Sequence, residues 1–282
     1  MSKTIFITGT SSGIGKATAQ YFAQKGWNVA ATMRNPDKGK DLADLSNVNV
    51  YQLDVTDESS INQAVAKAIQ DFDKIDVVLN NAGYGLIGPF ELATKEQIEK
   101  EFQTNLFGAM NVMRAFLPHF KQNKDGLIIN LTSVGGLVTM PYTSLYHSTK
   151  FALEGFSESL AYELEQFGIR IKIVEPGAVY TNFATTSLDM TKSDSVRDYD
   201  ADLQKLQQAF DTLMKPDTNT LGGGSTPEMV AETIYTAATD GSEQMRYLSG
   251  KDAEQLISMK KENDDAAFHQ MMMQMLLGKE AS

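Results

Sequence analysis

Cysteine is absent from the 282 residues, and with it go disulfides, thiolate nucleophiles and zinc–sulfur sites. A cysteine-free chain agrees with a reducing compartment, and a cytoplasmic location is expected. Histidine is scarce: His119, His147 and His269 stand far apart and lack metal-ligand spacing, so no catalytic metal is expected. No stretch approaches the roughly 18 apolar residues of a membrane span. The apolar run in "MSKTIFITGT" is too short for the core of a secretion signal. Basic residues are outnumbered, 25 Lys and Arg against 36 Asp and Glu, for a net charge of −11. Such a surface repels phosphate backbones and anionic lipid, so neither nucleic acid nor membrane is an expected partner.

What the chain does have is apolar material, 42% of its residues, enough for a substantial core. Short apolar runs recur at 4–9, 27–33, 48–54, 75–83, 126–133, 169–177 and 245–250. Helical stretches at 13–25, 57–73, 94–121 and 146–167 separate them. Strands alternating with helices predict βαβ units, and runs rich in Val and Ile predict strands buried on both faces. The reading is an α/β fold, a single doubly wound domain over 1–282 with a seven-stranded parallel sheet. After Pro176 the rhythm breaks. Residues 184–225 hold no convincing strand, and Leu203, Leu206, Phe210, Leu213 and Met214 recur at helical spacing. They predict a helical insertion after the sixth strand. Residues 227–239 and 251–277 read as further helices, 251–282 forming a C-terminal extension whose methionines at 271–275 pack into the core.

The turn "ITGTSSGIG" joins the first strand to the first helix and spaces Gly9, Gly13 and Gly15 as G-x-x-x-G-x-G. Glycines allow a tight turn and close backbone approach, and the helix N-terminus offers free N–H groups to a pyrophosphate. Ser11 and Ser12 add hydroxyl donors beside Ile14. At the first strand–helix junction this turn predicts dinucleotide binding.

The chain resembles the short-chain dehydrogenase/reductase family over roughly residues 3–185 and the last strand. The resemblance rests on "TGTSSGIG" at 8–15, "DV" at 54–55, "NNAG" at 80–83, Asn105, Ser133, "YHSTK" at 146–150 and "PGAVYT" at 176–181. It implies a Rossmann-type fold in which Asp54 and Val55 border the adenine and Asn81, Ala82 and Gly83 pass along the cofactor. Pro176, Gly177, Val179 and Thr181 would hold the nicotinamide carboxamide. Helices 94–121 and 146–167 commonly pair across a two-fold axis in this family, which implies a homodimer or homotetramer.

Tyr146 and Lys150 stand one helical turn apart. Reducing a ketone by hydride transfer leaves an alkoxide that needs a proton, which a phenol of pKa near 10 can give. An ammonium one turn away should stabilise the phenolate and lower that pKa. The lysine stem is also long enough to reach the nicotinamide ribose. Ser133 resembles the family serine that binds the substrate oxygen, and Asn105 the asparagine that holds a water linking the lysine to solvent. A Ser–His–Asp hydrolase is rejected because G-x-S-x-G is missing and His147, adjacent to Tyr146, points about 100° away on a helix.

Thr32 and Met33 occupy the end of the second strand, where an acid would select NAD, and Arg34 follows. A guanidinium attracts a 2′-phosphate, so NADP(H) is expected over NAD. Ser12 departs from the basic residue many NADP-preferring relatives carry before the second glycine, and Asp37 is an alternative ribose partner. Leu86, Val134, Leu137, Met140, Tyr142, Tyr180 and Phe183 are expected to wall an apolar pocket for a hydrophobic ketone, aldehyde or secondary alcohol. The segment "SVGGLVTMPYTSLY" is closest to the hydroxysteroid- and retinol-dehydrogenase branch. Alternatives are an NAD-dependent alcohol dehydrogenase, a dinucleotide-sensing protein without turnover, and a nucleotide-sugar epimerase or dehydratase. The last lacks its G-x-x-G-x-x-G pattern and larger C-terminal domain here.

Overall fold

The computed structural model describes residues 2–180, 188–191, 196–213 and 223–279. Its main sheet has seven parallel strands: β1 (Thr4–Thr8), β2 (Asn28–Met33), β3 (Val48–Gln52), β4 (Val77–Asn80), β6 (Gly126–Leu131), β7 (Ile169–Pro176) and β9 (Arg246–Ser249). Each falls within one of the seven apolar runs. The spatial order is β3-β2-β1-β4-β6-β7-β9. The order therefore reverses between β1 and β4, and beyond the carboxyl ends of those two strands lies the crevice where open α/β sheets bind ligands.

Successive side chains of a strand point to opposite faces, and here both faces are covered. Phe6, Val78 and Ile128 pack on one side with Ala64 and Ala68 of α3 (Glu58–Phe72) and Val112 and Phe116 of α5 (Gly108–Asn123). Ile5, Ile7, Leu79 and Ile129 pack on the other with Phe22 of α1 (Gly13–Gln24) and Val230 and Ile234 of α8 (Pro227–Thr239). This two-sided burial is why the strands read as unbroken apolar runs. A short helix α2 (Lys40–Ala43) leads into β3.

Three expectations need correction. The stretch 184–225 does contain a strand: β8 (Leu188–Met190) pairs in parallel with β5 (Gly85–Ile87) as a separate two-stranded sheet. Three residues are too few to show a period, and the pairing partner lies about a hundred positions away. The helix expected at 94–121 is divided into α4 (Lys95–Phe102) and α5 by a π-helical stretch at Gln103–Phe107. There Asn105 turns its side chain to backbone outside the helix. The C-terminal region forms two helices, α9 (Lys251–Glu262) and α10 (Asp265–Leu277), because Asp264 caps the second by accepting from Ala267 N at 2.8 Å. The helix foreseen within the insertion is α7 (Asp200–Leu213), and that foreseen at 146–167 is α6 (Ser144–Leu164) followed by a single 3₁₀ turn.

Candidate active site

One cleft of about 1230 Å³ opens over the carboxyl ends of β1 and β4. It exceeds the roughly 300–1,000 Å³ of an ordinary small-molecule pocket, so it has room for a dinucleotide and a second ligand. Gly9, Ser11, Ser12, Gly13, Ile14, Gly15 and Arg34 line one end; Asp54, Val55, Asn81, Ala82 and Gly83 line its middle. Ser133, Tyr146, Lys150, Pro176, Gly177 and Val179 line it further along. Thr181 and Phe183 lie outside the described residues. Asn105 sits behind the wall rather than in it.

The glycine turn is built for close approach. Gly9 and Gly13 have φ of 75° and 57°, the left-handed region that favours glycine. A Cβ at Gly15 would stand 2.3 Å from Gly9 O, so no larger residue fits. Asn81 braces this turn, its Nδ2 donating to Thr8 O at 2.7 Å and Gly9 O at 3.0 Å. Ser12 precedes α1 in extended backbone, and the first turn of that helix carries no acid. Its free N–H groups therefore face the cleft with nothing to repel an anion. At the end of β2, Thr32 spends its hydroxyl on Ile7 O (2.9 Å) and Met33 is buried, while Arg34 is exposed with no carboxylate partner among the described residues. Asp54 is half-buried and accepts from Thr56 N and Thr56 Oγ1 at 2.9 and 2.8 Å.

Tyr146 and Lys150 share the inner face of α6. Lys150 is buried; its Nζ donates to Leu131 O at 3.1 Å and lies 5.6 Å from the Tyr146 ring centre. Burial pulls the ammonium down to about 8, opposed by the Glu154 and Glu101 carboxylates. The phenol goes the other way from the expectation. Burial pushes Tyr146 up to about 12, against a hydrogen bond with Ser133 and with added push from Glu101. Ser133 is held between the sheet and the following turn, its hydroxyl accepting from Gly135 N (3.0 Å) and reaching Pro176 O at 3.4 Å.

Asn105 fastens the wall behind the lysine. Its Oδ1 accepts from Tyr84 N (3.0 Å), and its Nδ2 donates to Tyr84 O (2.7 Å) and Thr149 Oγ1 (3.1 Å). A Cβ at Gly83 would come within 3.1 Å of Asn105 Oδ1 and 3.9 Å of Lys150 Nζ, so the three meet without an intervening side chain.

Residues of this site with no clear signal in the sequence are braces. His147 is buried, its Nδ1 on Gly135 O and its Nε2 accepting from Met140 N at 3.2 Å. Those partners require the neutral ring with its proton on Nδ1, and burial lowers its pKa accordingly. Asp252, in the first turn of α9, accepts from Ala178 N at 2.6 Å and fixes the loop after β7. Gly177 must be glycine because a Cβ would stand 2.1 Å from that carboxylate.

The expected apolar walls are only partly right. Val134 and Met140 line the cleft. Leu86, Leu137, Tyr142 and Tyr180 do not, since Leu86 is the buried middle residue of β5 and Tyr142 gives its hydroxyl to Asp202 at 2.6 Å. Their places are taken by Ile87, Leu256, Met275 and Leu276, with Leu203, Leu206 and Phe210 of α7. The methionines of α10 are thus divided, Met272 in the core and Met275 in the wall. Among the described residues no cluster of three or more His, Cys, Asp or Glu could hold a metal, and no helix is long and apolar enough to cross a membrane.

Residues 3–214 match the family model for short chain dehydrogenase. An uncharacterized oxidoreductase of Schizosaccharomyces pombe is 42% identical over 236 residues, covering 84% of this chain and 96% of the relative. The 3-ketodihydrosphingosine reductase of Bacteroides thetaiotaomicron is 41% identical over 179 residues, 64% of this chain and 65% of its own. Among solved structures, ElxO with NADP bound superposes with a TM-score of 0.72 at 30% identity, covering 88% of this chain and 97% of that one. The matched span runs from the glycine turn through Tyr146 and Lys150 to α7, and so takes in the cleft except for Gly223, Gly224 and the lining residues of α9 and α10. This chain belongs to the short-chain dehydrogenase family of oxidoreductases.

Proposed function

We propose that the protein is an NADP(H)-dependent carbonyl reductase or alcohol dehydrogenase of hydrophobic ketones, aldehydes or secondary alcohols, working in the cytoplasm. The observation that carries this reading is the meeting of Ser133, Tyr146 and Lys150 with a glycine phosphate cradle in one cleft, whose further lining sets apolar side chains such as Ile87, Phe210 and Leu256 beside polar ones such as Lys100, Asp189 and Gln207. The residues fit the cofactor: Gly9, Gly13 and Gly15 make a tight turn packed on Asn81 and Ala82, which sets the N-terminus of α1 at the cleft where a pyrophosphate would sit. Arg34 offers an exposed guanidinium, without a carboxylate partner among the described residues, where a 2′-phosphate would lie. NADP in ElxO supports the same preference.

The nicotinamide supplies the hydride for reduction and receives it in oxidation. In reduction, the Ser133 hydroxyl and the Tyr146 phenol hydrogen-bond the substrate oxygen. As that oxygen gains charge, Tyr146 gives it the phenolic proton and the C=O becomes a C–OH. The Lys150 ammonium then stabilises the phenolate left behind. With its pKa near 12 the phenol holds its proton at neutral pH and so stands in the form that donates in reduction. The ketone reduced by the Bacteroides relative, as its name gives it, supports an apolar substrate. We extend the reading to assembly: Phe107, Phe151 and Tyr162 are exposed in the π-helical turn and on α6, where pairing of two copies would cover them.

The test is NADPH oxidation with a panel of hydrophobic ketones, aldehydes and diketones, run with the native protein and with Tyr146→Phe. Turnover should fall by about 10² or more in the variant, the loss expected for acid–base catalysis, while NADPH affinity stays unchanged. Near-normal turnover in Tyr146→Phe would remove the phenol from its role.

A further inference from the structure

Glu101 ends α4 one turn before Asn105, and none of its surface is exposed. Its Oε1 accepts from Leu86 N at 2.8 Å, in the middle of β5, and its Oε2 has no hydrogen-bond partner among the described residues. The backbone N–H of Leu86 needs an acceptor, and a glutamine would serve that need without burying an acid. The position holds an ionisable group instead. It lies where α4 packs on α6, on the side of the cleft wall away from the ligand space.

The charges that face it come from several elements. Lys150 of α6 and Asp189 of β8 act on the carboxyl through their charge, and its own charge acts on Tyr146 of α6 and on the Tyr84 phenol in the turn before β5; α4 packs against both α6 and β5. Its neighbour Lys100 points to the Tyr84 ring, 5.3 Å away. We propose that Glu101 is a positioning residue whose buried charge sets the acidity of Tyr146 and Lys150, and with it the pH at which the carbonyl is reduced. This rests on the reductase reading given above.

The direction follows from the sign of each charge. An ionised Glu101 disfavours the Tyr146 phenolate and favours the Lys150 ammonium, so both groups hold their protons more tightly. Burial pushes Glu101 itself up to about 7, against the Leu86 hydrogen bond and Lys150, with Asp189 adding to the rise. The carboxyl therefore changes charge near neutrality. Below that point Tyr146 is the stronger acid and reduction is faster; above it the acid weakens.

Glu101→Gln keeps an acceptor for Leu86 N and removes the charge. The kcat/KM for carbonyl reduction by the native protein should fall about 3- to 10-fold between about pH 6 and 8, the size expected when a general acid weakens by about a unit. The variant should be flat over that interval with unchanged NADPH affinity. Asp189→Asn should move the native fall to lower pH.

A second measurement needs no turnover. A buried acid with a raised folded pKa contributes stability that is present below its unfolded value, near 4.5, and lost as pH rises through about 7. The Tm of Glu101→Gln should therefore gain on that of the native protein from about pH 5 to 8. If that gain appears but neither protein reduces any carbonyl, the reductase reading fails and the buried acid stands. If carbonyls are reduced and the native and variant pH profiles superimpose, the reductase reading stands and this inference is overturned.

Discussion

Arg34 is the side chain on which the proposed choice between two cofactors that differ by a phosphate turns. β2 ends in Thr32 and Met33, both turned into the protein, so no acid stands ready for the ribose hydroxyls. The guanidinium after them lines the cleft in the open. Arg34→Ala should weaken NADPH binding by about 1.5 kcal/mol, the lower end for a bond to a charged group, because an exposed cation is screened. NADH binding should barely change when both are followed by fluorescence titration. Equal losses for the two cofactors would sink the assignment. At this scale the sequence was informative where chemistry is local: Tyr146 and Lys150 are four apart, and Gly9, Gly13 and Gly15 of the first turn fall within one short stretch. It was silent where function is shared across the chain. Asp252 reaches Ala178 over 74 residues, and the charge of Glu101 acts on Lys150 only because α4 packs against α6. No spacing or periodicity links such pairs before the chain is folded.

Among the elements, α7 connects the substrate end of the cleft to the C-terminus. Leu203, Leu206 and Phe210 form the apolar stripe expected of it; Met214 and the flanking 185–187 and 221–222 lie outside the described residues. The stripe does two things at once: Leu206 is buried against Ile87, Leu276 and Leu277, while Phe210 is half-buried and lines the cleft. Asp202 ties the helix to Tyr142 and Lys279, each at 2.6 Å. We propose that α7 acts as a lid over the reacting carbon. Phe210→Ala should then change the ranking of bulky against small ketones in kcat/KM, with Tm close to native. A stability loss of roughly 3–5 kcal/mol, as for a buried aromatic, with unchanged ranking would instead make α7 plain core. The seven sheet strands were legible because two-sided burial writes long apolar runs. The β5–β8 pair and the π-helical break at Gln103–Phe107 were not. Strands of three residues carry no period, and Asn105 leaves the helical pattern only to bond Tyr84.

For the whole molecule, the distribution of buried acids sets how stability depends on pH. Arg246 is one cation facing three carboxylates: Glu154 at 3.1 Å, Glu158 at 2.8 Å and Glu175 at 3.1 Å. Glu154 and Glu175 are buried, and burial raises both. Glu175 reaches about 8, with Glu154 adding to the rise and Arg246 opposing it. Glu101 behaves likewise at about 7. Acids whose folded pKa exceeds the unfolded value make the native state bind more protons than the unfolded chain between those two values. Stability is then full below about pH 4.5 on their account and is lost as pH rises through 7 to 8. The net charge of −11 works in the same direction, since each deprotonation adds self-repulsion. Asp240 sets the opposite limit. Its hydrogen bonds to Lys172, Tyr247 and Ser242 overcome its own desolvation and hold its pKa far below the ordinary range, so its stabilisation is lost only in strong acid. The Tm should therefore peak in mildly acidic buffer and decline by about 5 °C or more toward pH 8, since a few kcal/mol is involved and each moves Tm by about 2–4 °C in a large domain. Glu175→Gln removes the largest of these raised acids while keeping its shape, and should flatten the decline by about half. Differential scanning calorimetry from about pH 5 to 8 reads both slopes, and identical slopes for native and Glu175→Gln would show that this carboxyl stays ionised throughout, its partner Arg246 having overcome its burial.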